Sequence, residues 1–143
     1  MSACVPFDDP DILDEDLLIR RVHPLQIVPD ENTGGKRVSS AAFSPSSDPH
    51  FGMSIDIKKS IENAGEKPEV FVKDPKHVGA VEFTASVVRN LNFVVGSNPL
   101  PPENPHHGEV WKPDSKRFSK GAQNQILRAS KWLNEIAGVN LGP

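Results

Sequence analysis

The stretch NPLPPENP, residues 98–105, holds four of the chain's 14 prolines, and each removes an amide donor that a helix or sheet would use. With 10 glycines as well, the 143 residues must fold through many turns and irregular connections. Regular elements are therefore expected to be short. A chain of this length with 36% hydrophobic residues can bury one core but not two. We read residues 16–143 as a single domain preceded by an acidic arm, residues 1–15, whose few apolar positions and two prolines predict a mobile or loosely docked segment.

Along the domain, DLLIRRVH (16–23) has strand character, with Leu17, Ile19, Arg21 and His23 on one face and Leu18, Arg20 and Val22 on the other. Pro24 limits its extension. After a loop marked by Gly34 and Gly35, VSSAAF (38–43) reads as a short strand. SPSSDPHFG (44–52) has loop composition, and MSIDI (53–57) alternates as a half-buried strand leading into the short helix of KKSIENAG (58–65). EVFVKD, VGAVEFTA, NFVVGS and GEVW all read as strands. At the end, Ala122, Ile126, Ala129, Leu133, Ile136 and Ala137 recur at helical spacing, with Ser119 as cap, Gly138 as stop and Trp132 as anchor on the sheet. The fold class is α+β: one domain of short, mostly antiparallel strands, one short helix and a long C-terminal amphipathic helix.

Charge narrows the function classes. Sixteen basic against nineteen acidic side chains leave −3, which argues against general nucleic-acid or anionic-membrane binding. Acidic residues nevertheless crowd 8–16, while Lys112, Lys116, Arg117, Lys120, Arg128 and Lys131 crowd the end. These clusters are solvated faces that attract one another across the fold, or the second is a local basic surface for RNA or phosphate. No run approaches the ~20 apolar residues of a membrane span, and the first residues lack a secretory signal pattern, so a cytoplasmic protein is expected. The single cysteine, Cys4, permits no internal disulfide and no cysteine-based zinc site.

The candidate chemistry centres on histidines. In ENPHHGEVW (103–111) a strand through His106 and His107 would send their rings to opposite faces, and only the His107 side also carries Glu109. His107 is thus the functional candidate and His106 the structural one. His107 and Glu109 have metal-ligand spacing on a strand, which keeps a metal-dependent hydrolase as a third reading, although no metal ligand set is assigned. Arg21 and His23, two apart on a strand that is otherwise apolar on that side, suggest a core ending at a cleft where a phosphate or carboxylate is gripped. Ser39, Ser40 and Ser54 offer hydroxyls. Nothing around them resembles a nucleophile elbow, and Gly34-Gly35-Lys36-Arg37 is a weak anion-binding signal that lacks P-loop spacing.

The order LLIRRVH, VSSAAF and VGAVEFTASVVRNLNFVVGSNPLPP resembles the small ADP-ribosyltransferase-like domains, which include RNA 2′-phosphotransferases and RES-type toxins. The resemblance covers most of residues 16–111 as pattern, without the His-Gly-Thr type signature of several such families on the first strand. It implies a split sheet binding NAD, with Arg21 or His23 on the first strand, Ser39 or Ser40 on a following one, and Glu109 or His107 near the ribose. HPLQIVPDEN, SSAAF and ENPHHGEV also resemble a bacterial domain family that implies no activity. The expectation is a small cytoplasmic domain with a polar cleft for a phosphorylated ligand, with NAD as cofactor and transferase or toxin-like chemistry. His107, Glu109 and His23 would be catalytic, and Arg21, Ser39, Ser40 and Ser54 would bind the cofactor. The rival expectation is a non-catalytic module whose protein partner meets the acidic arm and the 98–105 loop.

Overall fold

In a computed structural model the described residues are 4–45 and 49–141. Parts of the expected arm and of the 44–52 loop, residues 1–3 and 46–48, lie outside them, as do residues 142–143. In chain order the strands are β1 (Leu17–Val22), β2 (Ile27–Pro29), β3 (Lys36–Val38), β4 (Met53–Ile57), β5 (Gly79–Thr84), β6 (Val94–Ser97), β7 (His107–Trp111), β8 (Lys131–Asn134) and β9 (Val139–Asn140). The helices are α1 (Lys58–Asn63), α2 (Pro68–Phe71), α3 (Ala85–Arg89) and α4 (Lys120–Ala129), with 3-10 turns at Pro24–Gln26 and Ser40–Phe43.

Six strands form an antiparallel sheet in the order β6-β7-β4-β1-β5-β8, and β2, β3 and β9 form a small second sheet. Because successive side chains on a strand point to opposite faces, β1 sends Leu18 and Val22 into the main core and Ile19 into a smaller cluster with Ile61, Val72 and Ala80. Leu18 and Ile19 are both fully buried, so this central strand is covered on both sides. Each such side chain contributes about 1.5–3 kcal/mol by leaving water. The main core joins Phe43, Met53, Ile55, Phe83 and Val110 to Ile126 and Leu127 of α4.

The mixed α and β content, the single domain and the mostly antiparallel sheet agree with the sequence reading. The C-terminal helix does not. α4 spans only 10 residues, and the segment expected to continue it pairs with β5 as β8, Trp132 opposite Val81 and Asn134 opposite Ala80. Ser130 makes the break: its backbone is extended (φ −79, ψ 150), while its hydroxyl donates to the Ile126 carbonyl at 2.8 Å. The open edge of β5 then supplies backbone partners that a longer helix would forgo. Trp132 is a member of the sheet rather than a helix anchor, and Gly138 (φ 75) turns the chain toward β9.

Three further helices, each of six residues or fewer, replace the single short one expected. EVFVKD is not a strand: Pro68 begins α2 at a first-turn position where its missing amide costs nothing. VSSAAF is not a strand either, because Ser39 accepts the Ala41 amide and caps a 3-10 turn.

The described part of the arm lies along β6. The Asp9 amide donates to the Val95 carbonyl, Ile12 is buried, and the Phe7 ring packs 5.9 Å from that of Trp111. Arg89 donates to the carboxylates of Asp8 and Asp14. The acidic cluster therefore meets α3 through Arg89, and no ion pair joins it to the basic C-terminal run among the described residues.

Candidate functional site

Cross-strand partners in an antiparallel sheet point to the same side. Asp56 on β4 faces both Ile19 on β1 and His107 on β7, and Ser54 lies opposite Glu109. The helical layer supplies Ile61 and Val72 to cover Ile19 and Ala80, while beside β4 and β7 the same face opens as a cleft of about 550 Å³. Its lining includes Arg21, Ser54, Asp56, His77, Asn104 and His107, with Gln26, Lys76 and Leu100 around them.

Arg21 is the hub of the floor. Its Nε donates to Asp56 Oδ2 at 2.9 Å and its Nη1 to Asp74 Oδ2 at 2.7 Å. Burial works against its charge, but the hydrogen bonds and charges of Asp56 and Asp74 outweigh burial and raise its pKa. Burial would likewise raise Asp74, yet hydrogen bonds from His77, Arg21 and the Lys76 amide hold it far below the usual carboxylate range. Asn104 of the proline-rich loop donates to Asp56 Oδ1 at 2.6 Å and accepts the His106 amide, fastening the loop over the floor. Behind β4, Arg20 donates to the carbonyls of Ala42, Ser54 and Ser44. Burial lowers its pKa to about 10 against the opposing pull of Asp56. On the cleft side Arg21 and Lys76 balance Asp56 and Asp74, and Lys76 is the cation not held by a carboxylate.

His107 is buried, and its Nδ1 lies 2.8 Å from the Asn98 carbonyl, which can only accept, so Nδ1 carries the proton. In the neutral ring Nε2 then presents a lone pair. It makes no hydrogen bond, and no sealed-off side-chain polar atom among the described residues lacks one, so Nε2 opens onto the cleft. His77 is prepared in the same way, with Nδ1 2.9 Å from the Asp74 carboxylate and Nε2 unpartnered. His106 differs. Its Nδ1 meets Ser60 at 2.6 Å, its Nε2 meets Glu66 at 3.1 Å, and its ring stands edge-on to Phe71, joining β7 to α1 and α2.

Of the residues singled out from sequence, Arg21, Ser54 and His107 come together in this cleft. Arg21 reaches it with its guanidinium engaged by carboxylates on two sides, so it organises the floor instead of offering a free fork. His23 leaves the strand and accepts the Leu25 amide through Nδ1, capping the turn that carries Gln26, with its ring edge-on to His77 at 6.0 Å. Glu109 sits one row beyond His107, where it accepts from Asn98 Nδ2 at 2.6 Å. Ser39 and Ser40 line a different cavity, beside Arg37 and α4.

Sequence reasoning missed Asp74, Lys76, His77 and Asn104. DPKH (74–77) carried the signal: an aspartate that opens a turn by accepting the Lys76 and His77 amides places the histidine ring three residues on against the same carboxylate. Assigning 69–74 to a strand hid it.

Chemically, the cleft presents two oriented imidazole nitrogens, a serine hydroxyl, side-chain amides and one mobile cation. It can accept a proton, hydrogen-bond a polyol and counter an anion. Among the described residues no group of three or more His, Cys, Asp or Glu side chains is arranged to hold a metal ion, so the metal-dependent hydrolase reading has no donor set there. No helix among them is long and apolar enough to cross a membrane. Comparisons with protein-family models, curated proteins and solved structures found no match.

Proposed function

We propose that the protein binds a small phosphorylated ligand carrying ribose-like hydroxyls in the β1-β4-β7 cleft, with NAD as the first candidate, and that His107 Nε2 hydrogen-bonds the ligand or takes up its proton. The observation carrying this reading is the His107 ring itself. Its Nδ1 is fixed on the Asn98 carbonyl, and its Nε2 faces the cleft unpartnered. A buried imidazole oriented by one nitrogen and open at the other is the arrangement a proton acceptor requires. Ser54 supplies a hydroxyl on the neighbouring strand, and Lys76 and His77 take the phosphate-facing role assigned from sequence to Arg21. NAD-dependent transfer would use His107 and Ser54 at the ribose, with Glu109 one row away to stabilise positive charge as nicotinamide departs.

Calorimetric titration with NAD and with ADP-ribose, beside an assay of nicotinamide release in the presence of cell extract, tests this. Saturable binding is expected, weakened about tenfold or more by His107→Gln or Ser54→Ala with melting temperatures held near wild type. Absence of binding and of release would remove the reading. A non-catalytic interaction module then stands next, supported by Leu25, 85% exposed beside Gln26 at the cleft, and by half-exposed Leu100 on the proline-rich loop.

A further inference from the structure

A second cavity, of about 480 Å³, lies where β3, the Ser40–Phe43 turn, α4 and β9 meet. Arg37, Lys120 and Arg128 line it, and none of the three forms an ion pair with a carboxylate within 4 Å among the described residues. The one acidic side chain in its lining, Asp30, accepts the Asn32 amide at 3.1 Å and lies close enough for the Arg37 charge to act on it, beyond ion-pair distance. The informative residue is Ser40. It is only 8% exposed, yet its hydroxyl makes no hydrogen bond. Since no sealed-off side-chain polar atom among the described residues is unpartnered, the hydroxyl reaches the cavity, where it can donate to whatever enters.

A hydroxyl that reaches the cavity without a protein partner is free to donate there, and guanidiniums lining the same space with no carboxylate ion pair, Arg37 donating only to the Val38 carbonyl, select an acceptor with negative charge. Leu127, which belongs to the main core, closes the base of the cavity. We infer that this cavity is an anion site, separate from the His107 cleft, that takes the phosphate group of a small molecule, with Ser40 donating from the wall and Arg37, Arg128 and Lys120 neutralising its charge. The Ser39 hydroxyl accepts the Ala41 amide and so holds the turn that presents Ser40. The sequence run Gly34-Gly35-Lys36-Arg37 contributes through Arg37, and the basic C-terminal segment through Lys120 and Arg128.

The probe is inorganic pyrophosphate, titrated into the full chain at low ionic strength and followed by backbone amide shifts and calorimetry. Saturable one-to-one binding is expected, with shifts at Arg37, Ser40, Asn124 and Arg128 and none at Ser54, Asp56 or His107. Ser40→Ala should weaken binding about tenfold, by loss of a hydrogen bond to a charged group, and exposed Arg128→Ala should weaken it by a similar factor without disturbing the fold. Three results would overturn the inference. They are no saturable shift, shifts confined to the His107 cleft, and affinity unchanged in both variants. Binding of a single-stranded oligonucleotide with no response to pyrophosphate would also overturn it, assigning the cations to a nucleic-acid surface instead. Because the two sites share no lining residue, failure here leaves the His107 reading standing, and the reverse holds.

Discussion

His107 serves two neighbours at once: one nitrogen anchors the proline-rich loop through the Asn98 carbonyl, and the other faces the cleft. Asp74 shares itself in a similar way between Arg21 and His77, and its folded-state pKa is depressed by these bonds. A depressed carboxylate stabilises the fold wherever it is ionised in the unfolded chain, above about pH 4, and loses that contribution as pH falls from there toward the folded-state value. The difference in melting temperature between wild type and Asp74→Asn should therefore shrink steadily as pH falls below about 4. A gap that stays constant on acidification would show that Asp74 contributes through packing alone. Asp56 is more deeply placed, with its side chain 5% exposed and bonded to Arg21 and Asn104. Asp56→Ala leaves the Arg21 charge half-answered and should cost about 3–5 kcal/mol in urea unfolding. Residue identity and strand spacing made Arg21 and His107 legible in the sequence one at a time, Arg21 on the side of β1 that carries Ile19 and His107 on the side of β7 that carries Glu109. Their partners were not legible. Asp56 and Asp74 reach Arg21 from positions 35 and 53 residues away, and no local pattern encodes such a meeting.

Among the elements, the strand character of β1, β4 and β5 follows from their apolar and β-branched residues, whereas β8 was hidden by a helical period that Ser130 interrupts. Leu133 and Ile136 fit the helical spacing, yet in the structure both pack, partly buried, against the apolar clusters from the extended segment. Only the free edge of β5 decides between the two geometries. Gly79 tests the observed pairing. A Cβ there would stand 2.8 Å from the Asn134 carbonyl oxygen and 2.5 Å from Ile136 Cγ1, so Gly79→Ala must push β8 away from β5. A loss of about 1–3 kcal/mol in urea unfolding is expected. A neutral substitution would mean that residues 131–136 do not pack there. VSSAAF and EVFVKD illustrate the same limit from another side. Their β-compatible residues lose to a capping serine in one case and to a first-turn proline in the other.

Across the whole molecule, one antiparallel sheet carries an apolar core on one face, while the other is closed at the β1-β5 side and left open beside β4 and β7. This asymmetry creates the cleft. The arm belongs to the same design, because Ile12 is 4% exposed and Arg89 holds Asp8 and Asp14. Ile12→Ala should cost about 2–4 kcal/mol in urea unfolding, and an unchanged midpoint would contradict the docked arrangement. Ligand recognition in the cleft turns on a single atom, His107 Nε2, and long-range proton–nitrogen correlation spectra of the histidine rings observe it directly. In the free protein at pH 8 the His107 proton is expected on Nδ1, and NAD or ADP-ribose should move the Nε2 resonance. A proton found on Nε2, or an Nε2 signal unmoved by saturating amounts of both nucleotides, would contradict that expectation.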